Sequence, residues 1–252
     1  YDYMSLTEAL ISQVLYTIIF TIVTPWFYLT VIAKKRLSDL NLESSTDKVS
    51  ALLVILGTLC FMVVNSFFIE FNQNIQFPEF LSGFEDWARS LEDQLAEATE
   101  RFTTFNNFGE FLIGFIAIAL IPGIGEELLF RGVFQNSLQR LSKNKHVAIW
   151  VSAFIFGAIH MQFYGLIPRM LLGAVFGYLY VWSGNLWYPI IAHATNNGLA
   201  VIMAYSVSMT DSDFNIDDTE SFPLPAQIAA TVLFVVIMVV FRNRYLRPKR
   251  SE

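Results

Sequence analysis

The sequence is short of charge. Asp, Glu, Lys and Arg make up 15% of the 252 residues, and 54% of the residues are hydrophobic, whereas about 25% charged residues is usual for a soluble domain. Several uncharged stretches reach the roughly 20 residues that a helix needs to cross a hydrocarbon core about 30 Å thick. The composition therefore excludes an ordinary soluble domain and predicts an all-α, polytopic membrane helical bundle.

Cysteine is nearly absent as well. The single one, Cys60, lies within an apolar run, so the chain has no internal disulfide framework and we interpret this residue as packing. The start of the chain shows no secretory signal with a small-residue cleavage site, and it begins at Tyr1 rather than Met. The net charge of −6 comes from two acidic segments, and it gives no indication of a nucleic-acid partner.

Long apolar runs are abundant, and they predict seven membrane-spanning helices. The segments are 8–33, 50–71, 108–140, 147–162, 165–182, 186–207 and 225–241. Most of the 16 Lys and Arg residues follow the first, third and last of these segments, and the positive-inside rule assigns such positions to the cytoplasm. The acidic segments 72–107 and 208–224 are then external and the C-terminus is cytoplasmic. The expected localisation is a prokaryotic cytoplasmic (inner) membrane.

The external segment 72–107 carries the pattern of an amphipathic helix. Apolar residues recur there every three or four positions, which is the helical period. They are Phe80, Phe84, Trp87, Leu91, Leu95, Ala98 and Phe102. We interpret the segment as a helix over the outer end of the bundle with its acidic face in water; a substrate gate or partner-docking element is the alternative. The chain is expected to form a single domain over 1–252, with a motif core at 108–207.

Polar side chains at membrane depth are few, and they need a reason because a charge at the bilayer centre costs about 2.5–3.5 kcal/mol. Counting from the helix ends at about 1.5 Å per residue brings polar groups of three helices to a similar layer. The residues are Glu126, Glu127, Arg131, His160, His193, Asn196 and Asn197. Pro122, Gly123 and Gly125 lie just before them and are expected to kink or break the third segment, which indicates a cavity.

Helical phase separates the two acidic residues. Glu127 and Arg131 are four apart, the spacing of a favourable ion pair on one helix face, whereas Glu126 points about 100° away and is expected to face the cavity unpaired. His193 and Asn197 are also four apart, so one helix face offers an imidazole and an amide. Such a set can activate a water and stabilise an oxyanion, which suits hydrolysis of a carbonyl compound.

Structural interpretations compete with this chemistry. Buried Glu, His and Asn side chains can bridge helices through hydrogen bonds. Asn65 is expected to do so, Arg169 to snorkel or to pair, and His146 to be solvated. Phe156 lies one turn before His160, where an aromatic ring could wall a site and fix the imidazole.

Three motifs, taken in order, carry a family resemblance. "EELLFR" (126–131), "FGAIH" (156–160) and "HATNN" (193–197) contain the patterns EExxxR, FxxxH and HxxxN. Their order in a polytopic protein resembles the CPBP family, the intramembrane peptidases related to the eukaryotic type II CAAX prenyl endopeptidase. The resemblance implies a helical bundle with a cavity open to the cytoplasm. It also implies an endopeptidase for a membrane-associated peptide or protein, lipid-modified substrates included.

The resemblance also implies residue roles. Glu126 matches the water-activating glutamate and His160 its catalytic partner, while His193 and Asn197 match the oxyanion pair. The matching supporting positions are Glu127 and Arg131. The family usually has eight transmembrane helices, one more than the seven predicted here. Together with the missing initiator Met, this difference suggests that an N-terminal helix is absent from the sequence.

Metal dependence and function class both have alternatives. Glu126, His160 and His193 could form a His2Glu zinc set with an open position for water, but the chain has no HExxH pair and this use would leave no separate base. Metal-free glutamate catalysis without a cofactor is therefore the preferred interpretation, with zinc as the alternative. A non-catalytic scaffold or bacteriocin-immunity-type protein and a proton-coupled transporter are the other classes. Membrane lipid is an expected partner and nucleic acid is not.

Overall fold

The computed structural model describes residues 5–34, 40, 46–210 and 221–246. Over these residues the chain forms eight helices and no strand. The helices are α1 (Leu6–Ile32), α2 (Lys48–Gln73), α3 (Ser82–Thr103), α4 (Phe108–Ser142), α5 (Lys145–Ala158), α6 (Leu166–Ser183), α7 (Trp187–Thr210) and α8 (Leu224–Leu246). The predicted all-α membrane bundle is confirmed.

Five of these helices are long and apolar enough to cross a membrane: α1, α2, α4, α8, and α6 together with the 3-10 turn Phe163–Gly165 that leads into it. The other two predicted spans are helical too. Helix α5 is apolar but has 14 residues, and α7 has 24 residues but carries the polar "HATNN" motif. The protein is therefore a multi-pass membrane protein.

One predicted span ends earlier in the structure than in the prediction. The span 147–162 is wrong at its end, because α5 stops at Ala158 and the chain turns through Met161, whose φ is 56°. Part of the sequence on which the predicted membrane topology rests lies outside the described residues. This part comprises most of the acidic segment 208–224 and five basic residues. These are Lys35, Arg36, Arg247, Lys249 and Arg250.

The start of α2 is tied to the end of α8. Asp47 caps α2, since its Oδ2 accepts from the Ser50 backbone N–H at 3.0 Å and from the Ser50 hydroxyl at 2.8 Å. Arg244 donates to the same oxygen at 2.6 Å. Hydrogen bonds from Ser50 and the Arg244 charge lower the pKa of Asp47 to about 2. The two helices are therefore antiparallel, with these ends at the same face.

Helix α4 does not break at Pro122, Gly123 and Gly125, so the expected break is not observed. Its 35 residues are continuous, with two π-helical stretches, Phe115–Leu120 and Leu128–Gln135, on either side of a short α-helical part. Wider turns absorb the proline without ending the helix, and π-helical insertions are frequent at functional sites.

Glycine lets α4 approach its neighbours closely. A methyl group on Gly123 would lie 3.3 Å from the backbone nitrogen of Ala194 on α7, and one on Gly125 would overlap the Thr21 side chain of α1. Small residues allow such backbone contact between membrane helices. The contact at Gly123 brings the acidic pair of α4, one turn further on, beside the α7 motif.

Helix α3 is present where an amphipathic helix is predicted, but its packing differs in two ways. Phe84 and Trp87 pack on Phe163, with ring centroids 4.9 and 5.6 Å apart. The prediction that Phe80 lies on the apolar face of the helix is wrong, because Phe80 precedes the helix and is 83% exposed. The prediction that the acidic face of this helix lies in water is wrong for Glu92, because one of its carboxylate oxygens is buried and the other accepts from Gln162.

Candidate active site

A buried ion pair forms the centre of the site. Arg131 Nη1 donates to Glu127 Oε1 at 2.8 Å, and the two side chains are 1% and 0% exposed. Arg131 also donates from Nη2 to the carbonyl of Gly173 on α6 at 2.7 Å. Two charges leave water at a cost that only good geometry and further hydrogen bonds offset. The ion pair predicted from the spacing is therefore present and anchored to a second helix.

Aromatic rings of α5 and α6 also contact Arg131. The guanidinium carbon lies 5.3 Å from the ring centroid of Phe156 and 5.4 Å from that of Phe176, within the range of cation–π attraction. One turn further along, Gln135 donates to the carbonyl of Gly177 at 3.2 Å. Residues four apart on α4 thus bind carbonyls four apart on α6, which fixes the register of the two helices.

His193 connects α7 to this ion pair. Its Nδ1 lies 2.9 Å from Glu127 Oε1, and its ring stacks on Phe176 at 5.2 Å. A carboxylate only accepts hydrogen bonds, so Nδ1 carries the proton and donates. The other nitrogen, Nε2, lies 3.9 Å from Glu126 Oε2, which is longer than a direct hydrogen bond. The side chain of Glu126 is 19% exposed.

His160 lies in the turn after α5, not in the helix. Its Nδ1 is 2.7 Å from the carbonyl of Phe156, one of the carbonyls that a helix end leaves without an intrahelical partner. A carbonyl only accepts, so Nδ1 donates and Nε2 is left free in the neutral ring. The Phe156 ring contacts both imidazoles, with centroids 5.2 Å from His160 and 5.9 Å from His193.

Asn197 contacts the backbone of α4. Its Nδ2 donates to the carbonyl of Ile118 at 3.1 Å, and its Oδ1 accepts from Asn196 at 3.1 Å. The residue four positions after Ile118 is Pro122, which has no N–H to bind that carbonyl in an α-helical pattern. The proline therefore leaves an acceptor that the Asn197 amide uses.

The predicted site residues thus form one connected group and one neighbour. Direct contacts join the members of the connected group, which are Glu126, Glu127, Arg131, Phe156, His160 and His193. In the described part of the chain, Asn197 bonds to α4 and Asn196 rather than to this group. Sequence reasoning missed Phe176, Gly173 and Gln135; the spacing of four in Arg131–Gln135 and Gly173–Gly177 is the signal that could have found the last two.

A further polar cluster lies next to His160, between α3 and the start of α6. Arg169, expected to snorkel or pair, donates to Gln162 Oε1, and Gln162 Nε2 donates to Glu92 Oε1 at 3.2 Å. Burial raises the pKa of the Glu92 carboxyl, and the Arg169 charge opposes that shift. Asn65, expected to bridge helices, donates to the Pro168 carbonyl at 3.4 Å. The hydrogen bond between Gln162 and Glu92 thereby connects the segment after His160 to α3.

The zinc alternative requires Glu126, His160 and His193 to converge on one point. Among residues 5–34, 40, 46–210 and 221–246, no three His, Cys, Asp or Glu side chains lie together in a group that could hold a metal ion. The Nδ1 atoms of both imidazoles bind protein oxygens, so only their Nε2 atoms could reach a metal ion. We therefore derive no chemical step through a metal.

Similarity to known proteins agrees with the three sequence motifs. Residues 108–199 match the family described as type II CAAX prenyl endopeptidase Rce1-like. The chain is 32% identical over 88 residues to the putative membrane peptidase YdiL of Bacillus subtilis, covering 35% of this chain and 36% of that protein. It is 32% identical over 90 residues to the membrane-embedded CAAX protease MroQ of Staphylococcus aureus, covering 34% and 36%.

The uncharacterized protein YpbD of Bacillus subtilis is 32% identical over 82 residues, which cover 31% of this chain and 39% of that protein. The matches thus span less than two fifths of each of these relatives. No solved structure matches the chain significantly. The matched range 108–199 includes the three motifs that carry the connected side chains. The resemblance that those motifs predict is therefore confirmed: over residues 108–199 the chain is similar to the Rce1-like type II CAAX prenyl endopeptidases.

Proposed function

We propose that this protein is an intramembrane endopeptidase that hydrolyses a peptide bond of a membrane-associated substrate. The observation that carries the proposal is the 3.9 Å approach of Glu126 Oε2 to His193 Nε2, in a ring whose other nitrogen is held by the Glu127–Arg131 pair. A carboxylate and an oriented imidazole at this separation can share a water. The names of MroQ, a CAAX protease, and YdiL, a putative membrane peptidase, support the same class.

Glu126 is the general base in this proposal. Its carboxylate takes a proton from a water while the water oxygen adds to the peptide carbonyl carbon, and the C=O electron pair moves to the oxygen. His160 presents Nε2 as an acceptor for the same water, because the Phe156 carbonyl holds its Nδ1 proton at 2.7 Å. A positioned acid–base pair of this kind contributes roughly 10²- to 10⁴-fold to a rate.

His193 and Asn197 are the donors to the developing oxyanion. Nε2 of His193 donates when the ring carries a second proton, and the carboxylates of Glu126 and Glu127 flank that charge. Asn197 uses one amide hydrogen on the Ile118 carbonyl and has the other available. Glu126 then returns its proton to the leaving nitrogen as the C–N bond breaks, which yields a carboxylic acid and an amine.

The substrate class and the orientation belong to the same proposal. The substrate reaches the site from the membrane or from its cytoplasmic face, and lipid-modified peptides are candidates because the matched family is named for CAAX prenyl substrates. The C-terminus is cytoplasmic in a bacterial cytoplasmic membrane. The basic residues at the α4–α5 connection and at the end of α8 support this orientation, and the bacterial relatives support the membrane.

The test is cleavage of quenched-fluorescent peptides, prenylated ones included, by the full chain in nanodiscs. Glu126→Gln keeps the shape of the side chain and removes the base, so we expect at least a 100-fold loss of rate. Glu79→Gln is the matched control, since Glu79 lies in the 3-10 turn before α3, and it should cleave like wild type. Full activity of a folded Glu126→Gln variant would contradict the assignment.

A chelator arm addresses the zinc alternative. Activity that resists the chelator supports glutamate catalysis without a metal, and activity that is lost and then restored by zinc would assign the same side chains to a metal site. Flux of protons or solute without any hydrolysis would favour the transporter. Silence in both assays, with a folded wild type, would favour the scaffold or immunity-type protein.

A further inference from the structure

A groove separate from the candidate active site lies between α5, α6 and α8. Its volume is about 460 Å³. Helix α6 forms its floor with Val175 and Tyr178, and α8 forms one wall with Phe234, Met238 and Val239. The lining residues include none of the side chains of the candidate active site. The groove is thus an apolar channel along the membrane-spanning part of the bundle.

One end of this groove is basic. Lys145, at the start of α5, and Arg242, near the end of α8, both line it and are exposed. Within the described part of the chain neither forms an ion pair, whereas the nearby Arg244 is neutralised by Asp47 at 2.6 Å. The lining includes no Asp or Glu. Two positive charges that no described acidic residue pairs with therefore lie at the mouth of an apolar channel.

Aromatic side chains lie just inside the basic end. His146 Nδ1 is 2.9 Å from the Tyr178 hydroxyl, and the rings of Tyr178 and Trp182 are 5.4 Å apart. Tyr and Trp are enriched where the hydrocarbon core meets the head groups, because each has an apolar body and a polar tip. These rings therefore mark the head-group level of the groove.

We propose that the groove binds one anionic phospholipid, with its phosphate between Lys145 and Arg242 and one acyl chain against α6. Charge complementarity selects this occupant, because an apolar channel alone accepts any lipid chain but two free cations at its mouth favour a negative head group. Basic pockets between membrane helices bind anionic head groups in this way. The basic end also lies on the face that the positive-inside rule assigns to the cytoplasm.

Native mass spectrometry of the full chain, titrated with phosphatidylglycerol and with phosphatidylcholine of the same acyl chains, tests the proposal. We expect phosphatidylglycerol to bind in preference to phosphatidylcholine with one tight site. The double variant Lys145→Gln/Arg242→Gln should weaken that site at least tenfold, since each surface Lys or Arg contributes roughly a fivefold preference. Equal binding of the two lipids by wild type would overturn the proposal.

Matched variants separate this groove from general attraction to the basic face. Arg140→Gln/Lys143→Gln removes the same charge from the neighbouring connection, outside the groove, and should retain binding within about twofold of wild type. Val239→Trp places a larger side chain in the apolar part of the groove and should weaken lipid binding although no charge changes. Loss of binding in the Arg140/Lys143 variant equal to that in the groove variant would overturn the proposal, and so would full binding by Val239→Trp. Competition by glycerol phosphate as strong as by the lipid would also overturn it, since a free head group lacks acyl chains.

Discussion

Two ion pairs in this protein have the same spacing and the same length but opposite surroundings. Glu85–Arg89 on α3 and Glu127–Arg131 on α4 both place acid four residues before base, with N–O distances of 2.8 Å. The side chains of Arg89 and Glu85 are 44% and 18% exposed, whereas those of Arg131 and Glu127 are 1% and 0% exposed. Sequence spacing therefore predicts the geometry of a pair, and burial determines how much the loss of one partner changes the stability of the protein.

The buried pair also has partners that the exposed pair lacks. Glu127 accepts from His193, and Arg131 donates to the Gly173 carbonyl. Arg89 donates to the Ile75 carbonyl at 3.3 Å and lies 4.4 Å from the Tyr164 ring centroid, and Glu85 accepts from the Tyr164 hydroxyl at 3.4 Å. The buried pair thus joins three helices and orients the imidazole of the candidate active site, while the exposed pair connects α3 to the loop before it and to the turn before α6.

The largest expected effect comes from breaking the buried pair. Arg131→Met leaves the Glu127 charge without its partner in a buried site, and should lower the free energy of unfolding by about 3–5 kcal/mol. Chemical unfolding in detergent measures the change. The double variant Glu127→Leu/Arg131→Met should recover most of the stability but no cleavage, because His193 then has no acceptor for its Nδ1 proton. Recovery of cleavage in the double variant would show that the pair does not orient His193.

Separating α4 from α7 should have the next largest effect. Gly123→Val places side-chain atoms against Ala194, where even a methyl group would be 3.3 Å from backbone, and overpacking of this kind costs about 1–3 kcal/mol. The cleavage rate should fall even under conditions where the variant remains folded, since Glu126 moves away from His193. Gly83→Val on α3, where an added Cβ meets nothing within 4 Å, is the control and should retain activity. Equal losses of activity in both variants would count against the close contact.

A smaller and pH-dependent effect is expected at Glu92. Burial raises the pKa of this carboxyl in the folded protein, so the protonated form favours folding. Its contribution to stability is full below the unfolded pKa of about 4.3 and is lost as the pH rises through the higher folded value. Glu92→Gln keeps the acceptor for Gln162 and should raise stability at pH 7 by less than about 1 kcal/mol. Unfolding measured from pH 4 to pH 8 should show a flatter dependence than wild type, and an unchanged slope would refute the assignment.

The exposed pair should give the smallest effect. Arg89→Gln removes an i,i+4 surface pair, which contributes about 0.3–0.5 kcal/mol, and the loss should shrink further in high salt because salt screens exposed charges. Thermal unfolding at low and high salt measures both changes. A cost above about 2 kcal/mol would mean that α3 is held to the bundle through this pair, which the typical value for exposed pairs does not predict.

Much of this fold follows from local sequence pattern, and the failures share a cause. Apolar runs predict the helices other than α3, the amphipathic period predicts α3, and the spacing of Glu127 and Arg131 predicts their pairing. The pattern does not predict that α5 ends before His160 or that Glu92 meets Gln162, because both depend on contacts between segments distant in sequence. The apolar residues predicted for the amphipathic helix are only partly buried, and Phe80 is exposed. Which of them are buried likewise depends on the residues that lie opposite them in the bundle.

The candidate site divides in the same way. The motifs identify Glu126, His160, His193 and Asn197 by residue type and spacing. Their hydrogen bonds come from backbone groups that a motif does not show, such as the Phe156 carbonyl for His160 and the Ile118 carbonyl for Asn197. Pro122, four residues after Ile118, is a sequence feature that could have predicted the second of these bonds.

The proposed function depends on Glu126 activating a water for attack on a peptide bond. Cleavage of a peptide substrate in ¹⁸O-labelled water, read by mass spectrometry, tests it most directly when wild type is compared with Glu126→Gln of equal unfolding temperature. Wild type should place one ¹⁸O in the new carboxyl group, and Glu126→Gln should give no labelled product on the same timescale. Labelled product formed by Glu126→Gln at the wild-type rate would contradict it.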